Sequence, residues 1–204
     1  GMDYSADGLW LRPRVPSDMD RMVFEGIGYA GALFQFDARA LRSDAPTVAV
    51  ARDDLWTFGF QAGEPFCKAG LRVRVRPSPV GHNHRLSLTL ERQDDRDWRV
   101  VARTWYSHVR DGQWVWLRAE EWLPPGEYRL RVSEIEKPTG QLMEPMEPAK
   151  GSPVRCVAER THLIVEKADR PGSSSFRLEG GSAVTPSRWE ATLEPGRRAR
   201  LMRD

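Results

Sequence analysis

The sequence predicts an all-β protein built as an antiparallel two-sheet β-sandwich. Between residues 55 and 132, apolar and polar residues alternate with a period of two in several separate runs. This alternation is typical of strands that have one dry face and one solvated face. Turn-forming residues separate the runs at intervals of roughly 8–12 residues. The composition, with 40% apolar and 29% charged residues, is that of an ordinary globular protein.

The first 50 residues are expected to form an N-terminal arm or extra strands beside the sandwich. The stretch SDMDRMVFEGI (17–27) offers Ser17 as an N-cap and places apolar residues at helix-like spacing, which predicts a short helix. The segments GYAGALFQF (28–36) and PTVAV (46–50) are more typical of strands.

Four runs carry the alternation most clearly, and each of them gathers its apolar side chains on one face. They are LWTFGF (55–60), LRVRVR (71–76), RLSLTLE (85–91) and YRLRV (128–132). Sheets with one wet face are typical of antiparallel rather than parallel pairing. Turns are predicted at RPSPVGHN (76–83), QDDRD (93–97), RDG (110–112) and LPPGE (123–127).

The second half of the chain continues the pattern with long loops between strands. Loops are predicted at QLMEPMEPAKGSP (141–153) and DRPGSSS (169–175), and strands at THLIVE (161–166), RWEATLE (188–194) and RRARLM (197–202). Nine or ten short strands are expected in a single domain that spans residues 1–204.

The charge balance argues against nucleic-acid binding. Thirty-one Lys and Arg residues stand against 29 Asp and Glu residues, a net charge of +2, whereas nucleic-acid binding favours a strongly basic domain or patch. No run approaches the roughly 18 apolar residues of a membrane span. The first residues lack the basic region and apolar run of a signal peptide, which favours a cytoplasmic location; the alternative is a secreted protein whose leader has been removed.

Eight tryptophans raise the question of whether the aromatic residues form core or binding surface. Trp114 and Trp116 share one face of a strand whose other face is also apolar, which predicts a central strand covered on both sides. One of these two rings, Trp116 or Trp114, is expected in the core, because aromatic side chains dominate cores. At least one of Trp105, Trp114 and Trp122 is expected at a surface or groove, where a sugar ring could stack on it.

Arginines on two of the alternating runs form a second candidate site. Arg72, Arg74 and Arg76 share one face, and Arg129 and Arg131 share another. If the two strands are neighbours, these side chains form a basic stripe that could contact phosphates or an acidic polysaccharide. The alternative is a solvated sheet face in which the arginines pair across strands with residues such as Glu91 and Glu134.

Residues 55–140 resemble the jelly-roll, galactose-binding-like β-sandwiches that accompany many glycoside-active enzymes. The match is clearest in the hairpin L-P-P-G-x-Y-x-L-x-V, carried by Leu123, Pro124, Pro125, Gly126, Tyr128, Leu130 and Val132. The segment DRPGSSSFRLEGG (169–181) resembles a loop and strand near the end of such domains. The resemblance implies a jelly-roll-like fold and a carbohydrate-binding module, and its motifs specify fold geometry rather than a ligand.

The sequence contains no recognisable catalytic, metal or cofactor motif. The carboxylate pairs Asp94–Asp95 and Glu120–Glu121 are adjacent on strands or turns, so they point apart and cannot flank one glycosidic bond. The histidines are interpreted as polar loop or surface residues; they are His82, His84, His108 and His162. Cys67 and Cys156 are expected to be buried reduced thiols unless the fold brings them together.

These observations favour a non-catalytic carbohydrate-binding module over two alternatives. The expected ligand-binding residues are Trp105, Trp114, Trp122, Arg72, Arg74, Arg129 and Arg131. The first alternative is a structural or assembly subunit, such as a phage or cell-envelope component, that uses the sandwich to bind another protein or its own copy. An enzyme ranks third, and no cofactor or metal is expected.

Overall fold

The protein is all-β, with its strands arranged in antiparallel sheets, as the sequence predicts. The computed structural model describes residues 1–54, 56–75, 85–136, 143–146, 152–168 and 175–204. Within these ranges the chain forms 17 strands and no helix, more strands than the nine or ten expected. No helix in the described residues could therefore span a membrane.

The strands follow one another from end to end of the chain. They are β1 (Met2–Ser5), β2 (Gly8–Leu11), β3 (Arg21–Tyr29), β4 (Ala32–Ala45), β5 (Thr47–Asp54), β6 (Thr57–Ala62), β7 (Phe66–Val75), β8 (Arg85–Asp94), β9 (Asp97–Ser107), β10 (Trp114–Leu123), β11 (Gly126–Glu136), β12 (Met143–Pro145), β13 (Arg155–Lys167), β14 (Phe176–Glu179), β15 (Ser182–Thr185), β16 (Arg188–Leu193) and β17 (Ala199–Arg203).

The predicted helix over residues 17–27 is wrong, and a β-bulge explains the misleading spacing. Most of the stretch belongs to β3, which pairs with β4 in a hairpin. The register shifts between Phe24 and Ile27, where Gly26 has a φ of 69°. Because a bulge inserts a residue into the alternation, Phe24 and Ile27 come to the same side of the sheet three positions apart. The result imitates the spacing of a helix.

The chain forms two compact units. Unit 1 comprises residues 1–42 and 159–204, and unit 2 comprises residues 43–158. The expectation of a single domain over 1–204 stays a prediction. Unit 1 holds the sheet β1-β2-β17-β14, the β3–β4 hairpin and the pairing of β13 with β16 and of β16 with β15. Its core is apolar and includes Leu9, Phe34, Phe36, Leu163, Trp189 and Leu201.

Unit 2 is sandwich-like and carries the predicted alternation. Its five-stranded sheet has the order β5-β6-β11-β8-β9. A second group of strands is centred on β7, which pairs with β10, with β12 and with the first residues of β13. The inward residues form one core; they include Phe58, Phe60, Leu71, Val73, Leu86, Leu88, Leu90, Val115, Leu117, Tyr128, Leu130 and Val132. The alternation therefore predicted the core faces of these strands correctly.

The predicted turns that lie in described residues are confirmed. Strands β8 and β9 are joined at Asp95, which has a φ of 53°. Strand β10 ends at Leu123 and β11 begins at Gly126, so two prolines make that connection. Residues 110–112 also lie between strands. The predicted turn at 76–83 falls outside the described residues, as do residues 169–174 and most of the loop at 141–153.

Candidate functional site

The predicted ligand-binding residues lie in three different places on unit 2. Trp105 on β9 is 65% exposed, which confirms that at least one of the three named tryptophans lies at a surface. It belongs to the outer face of the five-stranded sheet, where its register partner on β8 is Ser87. Trp114 lies on the outer face of β10 beside Arg72 of β7. Trp122 lies in a groove described below.

The joint basic stripe does not form, because its two halves lie on different sheets. Arg129 and Arg131 are on β11 of the five-stranded sheet, whereas Arg72 and Arg74 are on β7. Arg76 falls outside the described residues. A shared stripe would need β7 and β11 to be neighbours, and the core of unit 2 lies between the two groups of strands.

The arginines of β11 are held by a buried carboxylate. The Nε of Arg129 donates to Glu91, and Nη1 of Arg131 lies 3.4 Å from the other oxygen of that carboxylate. Glu91 is 6% exposed, and the Arg129 guanidinium also lies 4.4 Å from the centre of the Trp98 ring. The predicted cross-strand pairing with Glu91 is therefore confirmed. The side chain of Glu134 is outside the described residues.

Trp114 and Trp116 do not lie in the core, and β10, which carries them, is not a central strand of its sheet. The two rings stack with centroids 5.1 Å apart and planes 16° from parallel, and both are half-buried on the face away from the core. In the described part of the chain β10 pairs only with β7 and ends its sheet. The prediction of a strand covered on both sides was wrong: on the outer face of β10 the two rings stack on each other and Trp116 packs against Gly70.

A tyrosine satisfies the open edge of β10 at this point. The hydroxyl of Tyr106 on β9 accepts a hydrogen bond from the Trp116 N–H and donates one to the Trp116 carbonyl, each at 2.8 Å. Burial raises the pKa of Tyr106, and the hydrogen bond to Trp116 opposes that rise. The hydroxyl replaces the ladder partner that an edge strand lacks.

Further along the same two strands the edges of β9 and β10 enclose a groove. Its volume is about 510 Å³, and it is lined by residues 99–103 of β9, residues 118–123 of β10, and Arg92 and Asp94 of β8. Both β9 and β10 end their sheets within the described residues. The volume falls within the range of about 300–1,000 Å³ that small-ligand sites occupy. The groove is concave and holds Trp122, one of the predicted residues.

Four arginines line this groove, and none of them was predicted as a site residue. They are Arg92, Arg99, Arg103 and Arg118. The Nε atom of Arg92 is buried and has no hydrogen-bond partner in the described structure. The sequence does contain a signal for Arg92. It lies two residues after Leu90 and therefore on the same inward face of the strand as Leu86, Leu88 and Leu90. A charge at a position that alternation assigns to the core is itself informative.

Trp105 lies on β9 beyond the residues that line the groove. It lies two residues beyond Arg103, so the two side chains share a face and their Cα atoms are about 6.6 Å apart. That interval is similar to the size of one sugar ring. Arg103 lies at the groove and Trp105 lies on the exposed sheet face. Arg103 and Trp105 therefore adjoin on the outer face of β9.

The remaining polar candidates do not assemble into a site. His108 lies in the turn after β9 with a φ of 56°, and His162 lies 3.6 Å from Glu190 in unit 1. His82 and His84 are outside the described residues. Within the described ranges, no group of three His, Cys, Asp or Glu side chains could hold a metal ion. Cys67 and Cys156 are both free and buried, and burial raises the pKa of Cys156.

Comparison with known proteins adds no assignment. The sequence matches no protein-family model, and no curated protein is similar to it at a significant level.

Proposed function

We propose that the chain is a non-catalytic carbohydrate-binding module on a jelly-roll, galactose-binding-like β-sandwich, and that it binds a saccharide along β9. The observation that carries the proposal is the exposed Trp105 indole beside a groove lined by arginines. Sugar rings present apolar C–H faces that stack on indole, while their hydroxyl groups accept hydrogen bonds from guanidinium donors.

The polar neighbours of Trp105 suit such a ligand. Ser87 is its register partner, and Arg103 pairs in the same way with Thr89. Directly paired residues of an antiparallel sheet share a face. The outer face of the sheet therefore presents an indole, two hydroxyl groups and a guanidinium within the span of two adjacent strands. This mixture of one aromatic ring and several donors and acceptors is typical of sites that orient a small polar ligand.

Tryptophan fluorescence with an aqueous quencher tests the proposal. Acrylamide is expected to quench Trp105 in the free protein, and a pool of oligosaccharides is expected to protect it. Trp105→Ala should remove the protected fraction and weaken binding on a glycan array by about tenfold or more, which corresponds to about 1.4 kcal/mol. The matched control is Tyr4→Ala, which removes a 60% exposed aromatic ring from unit 1. Equal binding by both variants, or no binding by the wild type at millimolar sugar, would refute the proposal.

A second candidate function, self-assembly, is favoured by the other edge of the same sheet. Strand β5 ends the five-stranded sheet in the described residues, and Val48 and Val50 on it are 67% and 52% exposed. Edge strands with exposed apolar residues are templates for pairing with another chain. An antiparallel β5–β5 contact between two copies about a two-fold axis would satisfy both edges. Light scattering tests this: a dimer that Val48→Lys converts to monomer supports it, and a monomeric wild type rejects it.

A further inference from the structure

Arg92 lines the groove and has no ion-pair partner among the described residues. Arg92 lies on the inward face of β8, after three leucines that are fully buried. Its Nε atom is buried without a hydrogen-bond partner, and no ion pair of its guanidinium occurs in the described structure. A buried donor that has lost its water and gained no acceptor is unfavourable. A bound group that supplies an acceptor to Arg92 would remove this cost.

A second arginine is paired with Arg92 in the register of β8 and β9. Arg99 of β9 is the direct register partner of Arg92, and both line the groove. Directly opposed residues on one face of an antiparallel pair have Cβ atoms about 4.5–5.5 Å apart, and like charges in this arrangement repel. Arg103 also lines the groove but belongs to the outer face of β9. An anion placed between Arg92 and Arg99 would convert the repulsion into two charge-assisted hydrogen-bond pairs.

We propose that the groove binds one anionic group of the ligand, a carboxylate, sulfate or phosphate, between Arg92 and Arg99. The inference rests on the proposed function, because it names the class of saccharide as acidic. Arginine presents a planar fork of donors that matches two oxygens of such a group. The anionic group sits in the groove. Trp105 lies six residues beyond Arg99, about 20 Å along β9, and on the outer face of the sheet, so a saccharide that reaches both places spans several sugar units and passes over the edge of β9.

The carboxylates of the groove limit how much negative charge the ligand carries. Asp94, Glu120 and Glu121 line the groove beside the four arginines, so the positive charge exceeds the negative charge by a single unit. A dense polyanion would meet these carboxylates along its length and be repelled. A saccharide with isolated acidic groups places one of them against the arginines and its neutral part elsewhere. The expected ligand is therefore a sparsely charged acidic saccharide.

Binding measurements with four probes test the inference on the whole chain. The probes are a neutral oligosaccharide, the same oligosaccharide with one uronic acid, inorganic sulfate and inorganic phosphate. The wild type should bind the uronic-acid oligosaccharide at least about tenfold more tightly than the neutral one, and sulfate or phosphate should compete with it. Raising the salt concentration should weaken this preference.

Two variants and a control locate the site. Arg92→Gln and Arg99→Gln should each abolish the preference for the acidic sugar, whereas Arg197→Gln, an exposed arginine in unit 1, should keep it. Arg99 is exposed, so its variant keeps the test decisive if Arg92→Gln unfolds. Comparison of sulfate and phosphate with the uronic-acid oligosaccharide shows which anionic group the arginines favour.

The possible outcomes distinguish a failure of the anion site from a failure of the proposed carbohydrate-binding function. Equal affinity for the neutral and acidic oligosaccharides would overturn the anion site and leave carbohydrate binding standing. Sulfate or phosphate binding that Arg92→Gln abolishes, with no oligosaccharide bound, would support the anion site and overturn the proposed function. If none of the four probes binds, both proposals fall.

Discussion

At Gly70 the Trp116 ring of the Trp114–Trp116 stack leaves no room for a side chain. A Cβ atom at Gly70 would lie 2.5 Å from Cε3 of Trp116 and 2.6 Å from the carbonyl oxygen of Val115. Both distances are about 1 Å shorter than ordinary contacts. The second involves backbone of the paired strand, so rotation of the Trp116 ring alone cannot relieve it. Gly70→Ala therefore has to separate β10 from β7 as well as displace the ring.

The expected cost of Gly70→Ala is about 1–3 kcal/mol of unfolding free energy, the range for overpacked sites. For a chain of this length that lowers the Tm by about 2–12 °C. The displaced ring should also weaken the near-ultraviolet circular dichroism of the stacked indoles. The control is Gly63→Ala, where a Cβ meets nothing within 4 Å; it should leave the Tm unchanged or raise it slightly. If Gly70→Ala melts within about 1 °C of the control and keeps its dichroism, the argument from packing is refuted.

Three further changes test the charge network, the strand edge and the thiols. Asp37 accepts hydrogen bonds from two arginines, chiefly Arg21, which lower its pKa. The ionised carboxylate therefore stabilises the fold above about pH 4, and this stabilisation is lost as the pH falls through the lowered pKa. In urea denaturation, Asp37→Asn should lower the free energy of unfolding by about 1–3 kcal/mol at pH 7 and by little at pH 2. Tyr106→Phe should cost about 1–2 kcal/mol in the same assay, because the N–H and carbonyl of Trp116 lose their partner. A thiol reagent should modify Cys67 and Cys156 only after unfolding, since both are buried; rapid reaction of the native protein would contradict their placement.

The features of the fold that the sequence predicted are those set by local alternation. Leu86, Leu88 and Leu90 point inward because the period of two has a physical origin in the pleat of each strand. The proline-glycine turn before β11 was predictable for a similar reason, since proline and glycine have restricted or special backbone angles. Neither feature depends on which distant segment lies opposite.

The predictions that failed depend on which strands are neighbours. The helix over 17–27 was predicted because a bulge at Gly26 shifts the alternation, and the bulge exists only in the pairing with β4. The basic stripe failed because β7 and β11 belong to different sheets. The groove could not be predicted for the same reason. Its walls come from two strands that the sequence does not identify as facing each other.

Edge protection is the strongest alternative account of the charges around the groove, but it leaves Arg92 unexplained. Charged side chains are a common means of preventing edge strands from pairing with other chains, and this could account for Arg99 and Arg103 on β9. It cannot account for Arg92, because β8 lies between β11 and β9 and has no free edge. Arg92 lies on a strand that is paired on both sides, so its guanidinium, whose Nε is buried without a hydrogen-bond partner in the described structure, does not protect a strand edge. The proposed anion would account for the position of Arg92, so Arg92→Gln is the variant that distinguishes a binding site from a protected edge.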